Sequence, residues 1–361
     1  VIAMQPYEEM PALWSYEGET LAPFFAASLP VLPIAPIDDD HLLIDRIGRI
    51  IRTDGTEENT IVLADINPGV DSHHPQASGA WLNGDLYFTY SNSSDVGNLI
   101  RTDGTAEGTV EIIDYSKDFE EIASNLVADG EKLYFLANKE DSNQNRLWTS
   151  DGSWEGTTPV FEEADLPEDF WPQGDLHIWQ GKCLFSASDG SSNYDLWRTD
   201  GTVLEEVDLP ENPFRRRLSG YTEINGALYF TAQKDNSDWV IYKLDTEQNI
   251  ENVHIIQSSG SIGPRFRAWK NGICYYADSY NARIEYLDLE TETVTPVFSG
   301  DVLAGGALDY AGEDYLLFSA DDAVYKTDGT PEGTVRLAET KLFHTEVSEK
   351  PMRGVSGKIL F

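Results

Sequence analysis

Basic residues are scarce in this chain of 361: 25 Lys and Arg stand against 63 Asp and Glu, a formal charge of −38. A surface of that sign repels a phosphate backbone and anionic lipid, so nucleic-acid binding is a poor expectation. The charge reads as a solubilising coat for a salty or extracellular medium, with calcium or a basic partner as the sharper alternatives. Long apolar runs are missing as well, and without about 18 consecutive apolar residues nothing reads as a spanning helix. The first forty residues hold no Lys or Arg, so they do not read as a signal peptide. The chain opens on Val1. A leader removed ahead of it would imply export; a shortened chain is the alternative. Cysteine is limited to Cys183 and Cys274.

What is plentiful is aromatic and β-branched sequence with a period. A β-type run ending in Thr-Asp-Gly-Thr, or a decayed form of it, returns seven times. It stands as Ile51–Thr56, Ile100–Thr105, Trp148–Ser153, Trp197–Thr202 and Tyr325–Thr330, with Tyr242–Asp245 and Glu285–Asp288 as reduced copies. The aspartates are about 40–49 residues apart, the length of one four-stranded propeller blade. Nine Trp, 17 Tyr and 15 Phe suit sheets packed face to face.

A second phrase accompanies the first. A Gly turn precedes a strong strand at Asn83-Gly84, Asp129-Gly130, Gly181, Asn225-Gly226 and Asn271-Gly272. Asn and Gly accept the positive φ of tight hairpins. Each unit therefore parses as inner strand A, the Gly turn, strand B, a polar loop, strand C ending in Thr-Asp-Gly-Thr, and outer strand D. The chain ends on Ser356–Phe361, a turn and a B strand lacking its C strand. Residues 50–54 and 60–66 supply C and D strands near the other end, so the two ends are expected to meet in one closing blade. His41–Asp45 competes for the B position there. The fold expected is all-β: a seven-bladed β-propeller over residues 41–361, closed by N- and C-terminal strands in one blade, with an extended arm over residues 1–40. Cys183 and Cys274 each follow a turn glycine by two residues, which suggests the same place in non-adjacent blades. A disulfide needs Cα atoms about 4.4–6.8 Å apart, so both are expected as buried free thiols.

Leu196–Thr202 and Leu99–Thr109 resemble the bacterial repeat named for its Glu-Leu-Trp-x-x-Asp-Gly-Thr signature, and Asp65-Ile66-Asn67-Pro68-Gly69 matches a later stretch of it. The resemblance covers roughly residues 41–361 and is specific in the first four units and the last. It implies an exported or surface-associated protein and no catalytic activity. Leu244-Asp245-Thr246 and Leu287-Asp288-Leu289 have lost the Gly-Thr and look like generic blades.

The repeated aspartate has a structural explanation. A carboxylate at a turn start accepts N–H groups two residues on, and Gly takes φ > 0. One Asp per turn falls short of the six to eight oxygens calcium prefers, so no cofactor is expected and calcium is the one left open. No G-x-S-x-G elbow, H-E-x-x-H pair or phosphate loop is present. One group stands out against the acidic background. Arg215, Arg216, Arg217, Arg265, Arg267 and Arg353, with His73 and His74, fall in or near D-to-A connections, which open at the mouth of a propeller's channel. There they form a candidate rim for a carboxylate, sulfate or acidic glycan; neutralising nearby acids such as Glu211 and Glu223 is the bland alternative. Trp154, Trp171, Trp179 and Trp239 lie near connections too, where packing between blades competes with sugar stacking.

Residues 1–40 carry six of the 17 prolines and seven acidic residues. Pro30, Pro33 and Pro36 repeat at three-residue spacing, which favours an extended strip. Trp14, Phe24, Phe25, Leu32 and Ile34 make that strip apolar, so it is expected to lie on a surface, its own or a partner's. The function expected is a non-catalytic, exported binding or scaffold propeller in a cell-envelope or extracellular protein assembly. A lyase or hydrolase acting on acidic glycans in the funnel is the alternative.

Overall fold

The computed structural model describes residues 11–17, 20–26, 32–45, 49–66, 74–91, 97–114, 119–122, 126–139, 145–162, 165–167, 169–188, 193–207, 218–234, 238–256, 266–278, 283–300, 308–320, 323–339, 353–355 and 358–360. All of its regular structure is antiparallel sheet, with no α-helix among those residues. The chain divides into two compact units, Val1–Pro159 with Met352–Phe361, and Val160–Pro351.

The first unit holds four sheets. Sheet I joins the chain ends: Thr20–Ala26, Pro11–Glu17, Lys358–Leu360 and Arg353–Val355, in that order. Sheet II is Leu32–Pro36, Leu42–Asp45, Arg49–Thr53 and Ile61–Asp65. Sheet III is His74–Leu82, Asp85–Ser91, Gly97–Thr102 and Val110–Asp114. Sheet IV is Phe119–Ile122 with Val127–Ala128, then Leu133–Lys139, Asn145–Ser150 and Thr158–Pro159.

The second unit repeats the plan. Sheet V is Trp171–Trp179, Lys182–Ser188, Asp195–Thr199 and Leu204–Glu206. Sheet VI is Ser219–Ile224, Ala227–Lys234, Asp238–Leu244 and Ile250–Ile256. Sheet VII is Phe266–Trp269, Gly272–Asp278, Arg283–Asp288 and Thr293–Ser299. Sheet VIII is Leu308–Ala311, Leu316–Ala320, Ala323–Thr327 and Val335–Glu339.

The A-B-C-D order read from the sequence is therefore the order of the sheets, but the described residues form eight sheets rather than seven. The difference arises at the N-terminus. The two candidate B strands do not compete for one slot, because Leu42–Asp45 and Lys358–Leu360 each lie in their own sheet. The missing C and D strands of the last sheet are Pro11–Glu17 and Thr20–Ala26, with Ser15 opposite Leu360 and Tyr16 opposite Ile359. Residues expected to form an extended arm are thus partly strand. Pro23, Pro33 and Pro36 all sit on edge strands, and Pro11 opens its strand. Those are the places where a missing N–H costs a sheet least.

In sheets II to VIII the described side chains of the second strand are buried on both faces and alternate between the two flanking interfaces. Leu86 and Phe88 pack toward sheet II with Ile34, Leu43 and Ile50, while Tyr87 packs toward sheet IV with Phe135 and Trp148. Leu228 and Phe230 likewise face sheet V, and Tyr229 faces sheet VII. Each such ring, fully buried, contributes roughly 1.5–3 kcal/mol. Successive sheets come closest through their first strands: Leu32–Pro36 lies beside His74–Leu82, and Ser219–Ile224 beside both Trp171–Trp179 and Phe266–Trp269.

The hairpin signals hold at Asn83-Gly84 (φ 54° and 90°), Gln180-Gly181 and Asn225-Gly226. In sheet VII they mislead by one residue. Trp269 pairs with Gly272, so Lys270-Asn271 is the turn and Gly272 already lies in the strand. Its absent side chain serves close approach, since a Cβ there would sit 2.1 Å from the Leu287 carbonyl oxygen. Cys274 is consequently one register step from Cys183. Cys183 lies opposite Thr199, whereas Ile273 holds the matching place opposite Leu287. A one-residue step turns a side chain to the other face. Both cysteines are buried and free, as expected, but on opposite faces of their sheets.

Candidate functional site

The recurring turn is the most uniform polar feature. In each full copy the Asp carboxylate accepts both the N–H and the hydroxyl of the residue two places on: Thr56 to Asp54 at 2.8 and 2.6 Å, Thr105 to Asp103 at 2.8 and 2.8 Å. The preceding hydroxyl accepts the Gly N–H, as Thr102 does from Gly104 at 3.0 Å. A later Thr closes the loop, Thr109 lying 2.7 Å from Thr102 and donating to the Thr105 carbonyl at 2.6 Å. Thr102, Ser150, Thr199 and Thr327 are fully buried by this arrangement. These donors hold Asp54 and Asp200 down to a pKa of about 2, led by the Thr56 and Thr202 hydroxyls. The glycine three residues after Thr105 has a reason too, because a Cβ on Gly108 would lie 2.0 Å from the Asp103 carboxylate. Sheet II carries Asn59 at that place, and its amide donates to Asp54 Oδ2 at 2.7 Å.

The turn also joins neighbouring sheets. Gly104 of sheet III has φ 86° and presses on Ile37 of sheet II, while Arg52 donates to the Gly104 carbonyl at 2.8 Å. Gly152 of sheet IV sits against Tyr87 of sheet III. In the second unit Gly329 of sheet VIII lies on the Trp269 ring of sheet VII, and Lys270 donates to the Asp328 carbonyl at 2.8 Å. The bare Cα of the glycine is what lets each turn seat on the preceding sheet.

Sheets VI and VII, whose turns are the reduced copies, are joined differently. Between V and VI the His177 ring stacks on Tyr221 with centroids 5.5 Å apart and planes 17° apart. His177 Nε2 is 3.8 Å from Glu223 Oε1, beyond hydrogen-bonding range. Burial pushes the His177 pKa down and the Tyr221 pKa up, the latter aided by Asp175 and Cys183. Arg198 adds a hydrogen bond to the Gln248 side chain. Between VI and VII, Tyr275 donates to Glu285 Oε2 at 2.7 Å and stands 2.9 Å from His254 Nε2. An ionised carboxylate only accepts, so the single Tyr275 proton points to Glu285 and His254 carries its proton on Nε2. Arg283 Nε lies 2.8 Å from the other Glu285 oxygen. Burial lowers the His254 pKa against the opposing pull of Glu285.

Of the expected rim, Arg215, Arg216, Arg217, Arg265 and His73 lie outside the described residues. His74, Arg267 and Arg353 are all in first strands, opposite Ser91, Cys274 and Leu360 respectively. Arg267 is half-buried. Of the expected arm contacts, Trp14, Phe24, Phe25 and Leu32 lie in strands of sheets I and II. Ile34 is fully buried in the chain's own core, beside Leu43 and Phe88, and so offers nothing to a partner. Trp179 and Trp239 are buried, as packing between sheets requires, whereas Trp154 is 43% exposed. His177, Tyr221, His254 and Glu285 were not singled out by sequence reasoning. The available signal was the loss of Gly-Thr in two successive units, which leaves their interfaces to other residues.

No group of three or more His, Cys, Asp or Glu among the described residues is placed to hold a metal.

No protein-family model and no curated protein sequence matches the chain. Solved structures do. A prolyl endopeptidase is similar at 13% identity and TM-score 0.55, over 85% of this chain and 49% of its own, so the chain spans about half the length of that enzyme. The dihydro-heme d1 dehydrogenase NirN is similar at 16% identity and TM-score 0.53, over 94% of this chain and 77% of its own. BamB from Moraxella catarrhalis is similar at 14% identity and TM-score 0.52, over 87% and 91%. The fold is β-propeller-like and all-β.

Proposed function

We propose that this chain is a non-catalytic, exported binding or scaffold propeller, a subunit of a cell-envelope or extracellular protein assembly. The observation that carries the reading is where the recurring chemistry goes. Every full copy of the Asp-Gly-Thr turn closes on itself, and the glycines of three of them, Gly104, Gly152 and Gly329, seat against the preceding sheet at Ile37, Tyr87 and Trp269. Residues repeated for that purpose build a rigid platform, and function on such a platform belongs to non-repeated surface. The resemblance to Asp-Gly-Thr repeat proteins favours export. The likeness to BamB over nearly its whole length supports the propeller-like platform on which this reading rests. The −38 charge suits a basic partner surface or calcium.

The test is affinity capture from the native envelope with the full chain as bait, beside a bait carrying Trp14→Ser and Phe24→Ser. Deleting residues 1–40 is not a clean comparison, because it removes strands from sheets I and II. A stoichiometric partner held by the first bait and lost by the second, with both folded, supports a scaffold fastened through its terminal hairpin. Turnover of an acidic polysaccharide by the full chain, abolished by Arg215→Ala or Arg267→Ala, would overturn the non-catalytic reading. An unchanged melting temperature in chelator would remove calcium.

A further inference from the structure

Among the described residues, the two interfaces whose turn is a reduced Leu-Asp copy each carry a half-buried histidine. Both flank sheet VI. His177 reaches it from sheet V and stacks on Tyr221. His254 leaves it for sheet VII and meets Tyr275. The other described interface of this unit, between VII and VIII, has the Gly329 turn on Trp269, and neither sheet carries a histidine among its described residues. We propose that sheet VI is an acid-released element, in which protonation of His177 and His254 loosens both of its faces while the turn-locked interfaces stay closed.

The groups facing each ring set the sign. His177 has Tyr221 and Glu223 opposite it and Asp175 on its own strand; its Nε2 is buried without a hydrogen-bond partner. A second N–H there gains attraction from Glu223 but no acceptor within bonding range, so desolvation dominates. His254 already uses its Nε2 proton on Tyr275, whose own proton serves Glu285, and Arg283 competes for the same carboxylate. On its own sheet Lys243 and Glu251 pair with each other. Both histidines have folded-state pKa values lowered by burial. The released state binds the extra proton more readily, so stability is complete above the unfolded value near 6.5. It falls as pH drops below that value. The turn carboxylates are held below their ordinary range by the donors around them, leaving the window from about 6.5 to 4.5 to the histidines.

The test is peptide-level hydrogen exchange on the full chain at pH 7.5 and pH 5.0, corrected for intrinsic rates. Opening of residues 219–256 should increase on the order of tenfold at the lower pH, with residues 316–327 unchanged. His177→Gln with His254→Gln should remove that response. An equal response in the double variant, or one spread evenly over sheet VIII, overturns the proposal. Should the double variant not fold, the histidine C–H resonances of the unaltered chain decide: values for His177 and His254 below 6 support it, and values at or above about 6.5 refute it.

Discussion

Replacing Gly152 by alanine tests whether the repeated turn is an inter-sheet joint or only a turn. Gly152 has φ 90°, and a Cβ built there lies 2.2 Å from the Tyr87 hydroxyl and 2.8 Å from its Cζ. Tyr87 is 4% exposed, so its ring has little room to withdraw. Gly84 supplies the control, with the same φ of 90° and nothing within 4 Å of its would-be Cβ. Alanine at positive φ costs about 1–2 kcal/mol at either position. Overpacking adds about 1–3 kcal/mol at Gly152 alone. Equilibrium urea unfolding should therefore show a loss of roughly 2–5 kcal/mol for Gly152→Ala against about 1–2 kcal/mol for Gly84→Ala, at unchanged m. Tyr87→Phe removes the nearest atom and should recover about 1 kcal/mol in the Gly152→Ala background, a coupling absent with Gly84→Ala. Equal losses at the two glycines, with no recovery, would refute the joint and leave only a local turn.

Other consequences are as direct. Thr102→Val keeps the shape of a fully buried side chain but strands the Gly104 N–H and removes the Thr102–Thr109 hydroxyl contact; a loss of about 1–3 kcal/mol is expected by denaturation. Asp54 and Asp200 have folded pKa values of about 2, below the unfolded value near 3.9. Their stabilisation is present above pH 4 and lost as pH falls toward 2, so Asp54→Asn with Asp200→Asn should flatten the melting-temperature profile in that window. Cys183 and Cys274 should resist alkylation in the folded protein and both react once it is unfolded, because burial raises the Cys274 pKa and shields both thiols.

The turn chemistry was legible because its residue types are each tied to a local need. Asn83-Gly84 states a hairpin, and Asp103-Gly104-Thr105 states a closed turn whose partners are all within seven residues. Strand order followed from the same units. Sheet number did not, because it turned on Pro11–Ala26 and Leu32–Pro36, where proline spacing argued for an extended strip. Edge position, which only the pairing partners reveal, made those prolines tolerable. The Lys270-Asn271 turn was misplaced for a related reason: Asn271-Gly272 has the composition of a turn, while Gly272 is required by the Leu287 carbonyl in the next strand. His177 and His254 were illegible because each is defined by a residue of another sheet, Tyr221 or Tyr275.

The decay of the repeat gives the molecule its internal contrast. At the Gly104, Gly152 and Gly329 turns an adjoining pair of sheets is held by a glycine on a side chain and, at Arg52 and Lys270, a cation on a backbone carbonyl. Acid above pH 4 alters none of these groups. Around sheet VI the joints depend on a stacked neutral histidine and on a three-residue relay from His254 through Tyr275 to Glu285. Side-chain joints of this kind tolerate a change of turn sequence, since neither His177 nor His254 touches Asp245 or Asp288, and they answer to pH as well. Loss of Gly-Thr at two successive units is thus matched by a different class of interface at both of them. That correspondence is what a localised response predicts and a uniform set of identical joints does not.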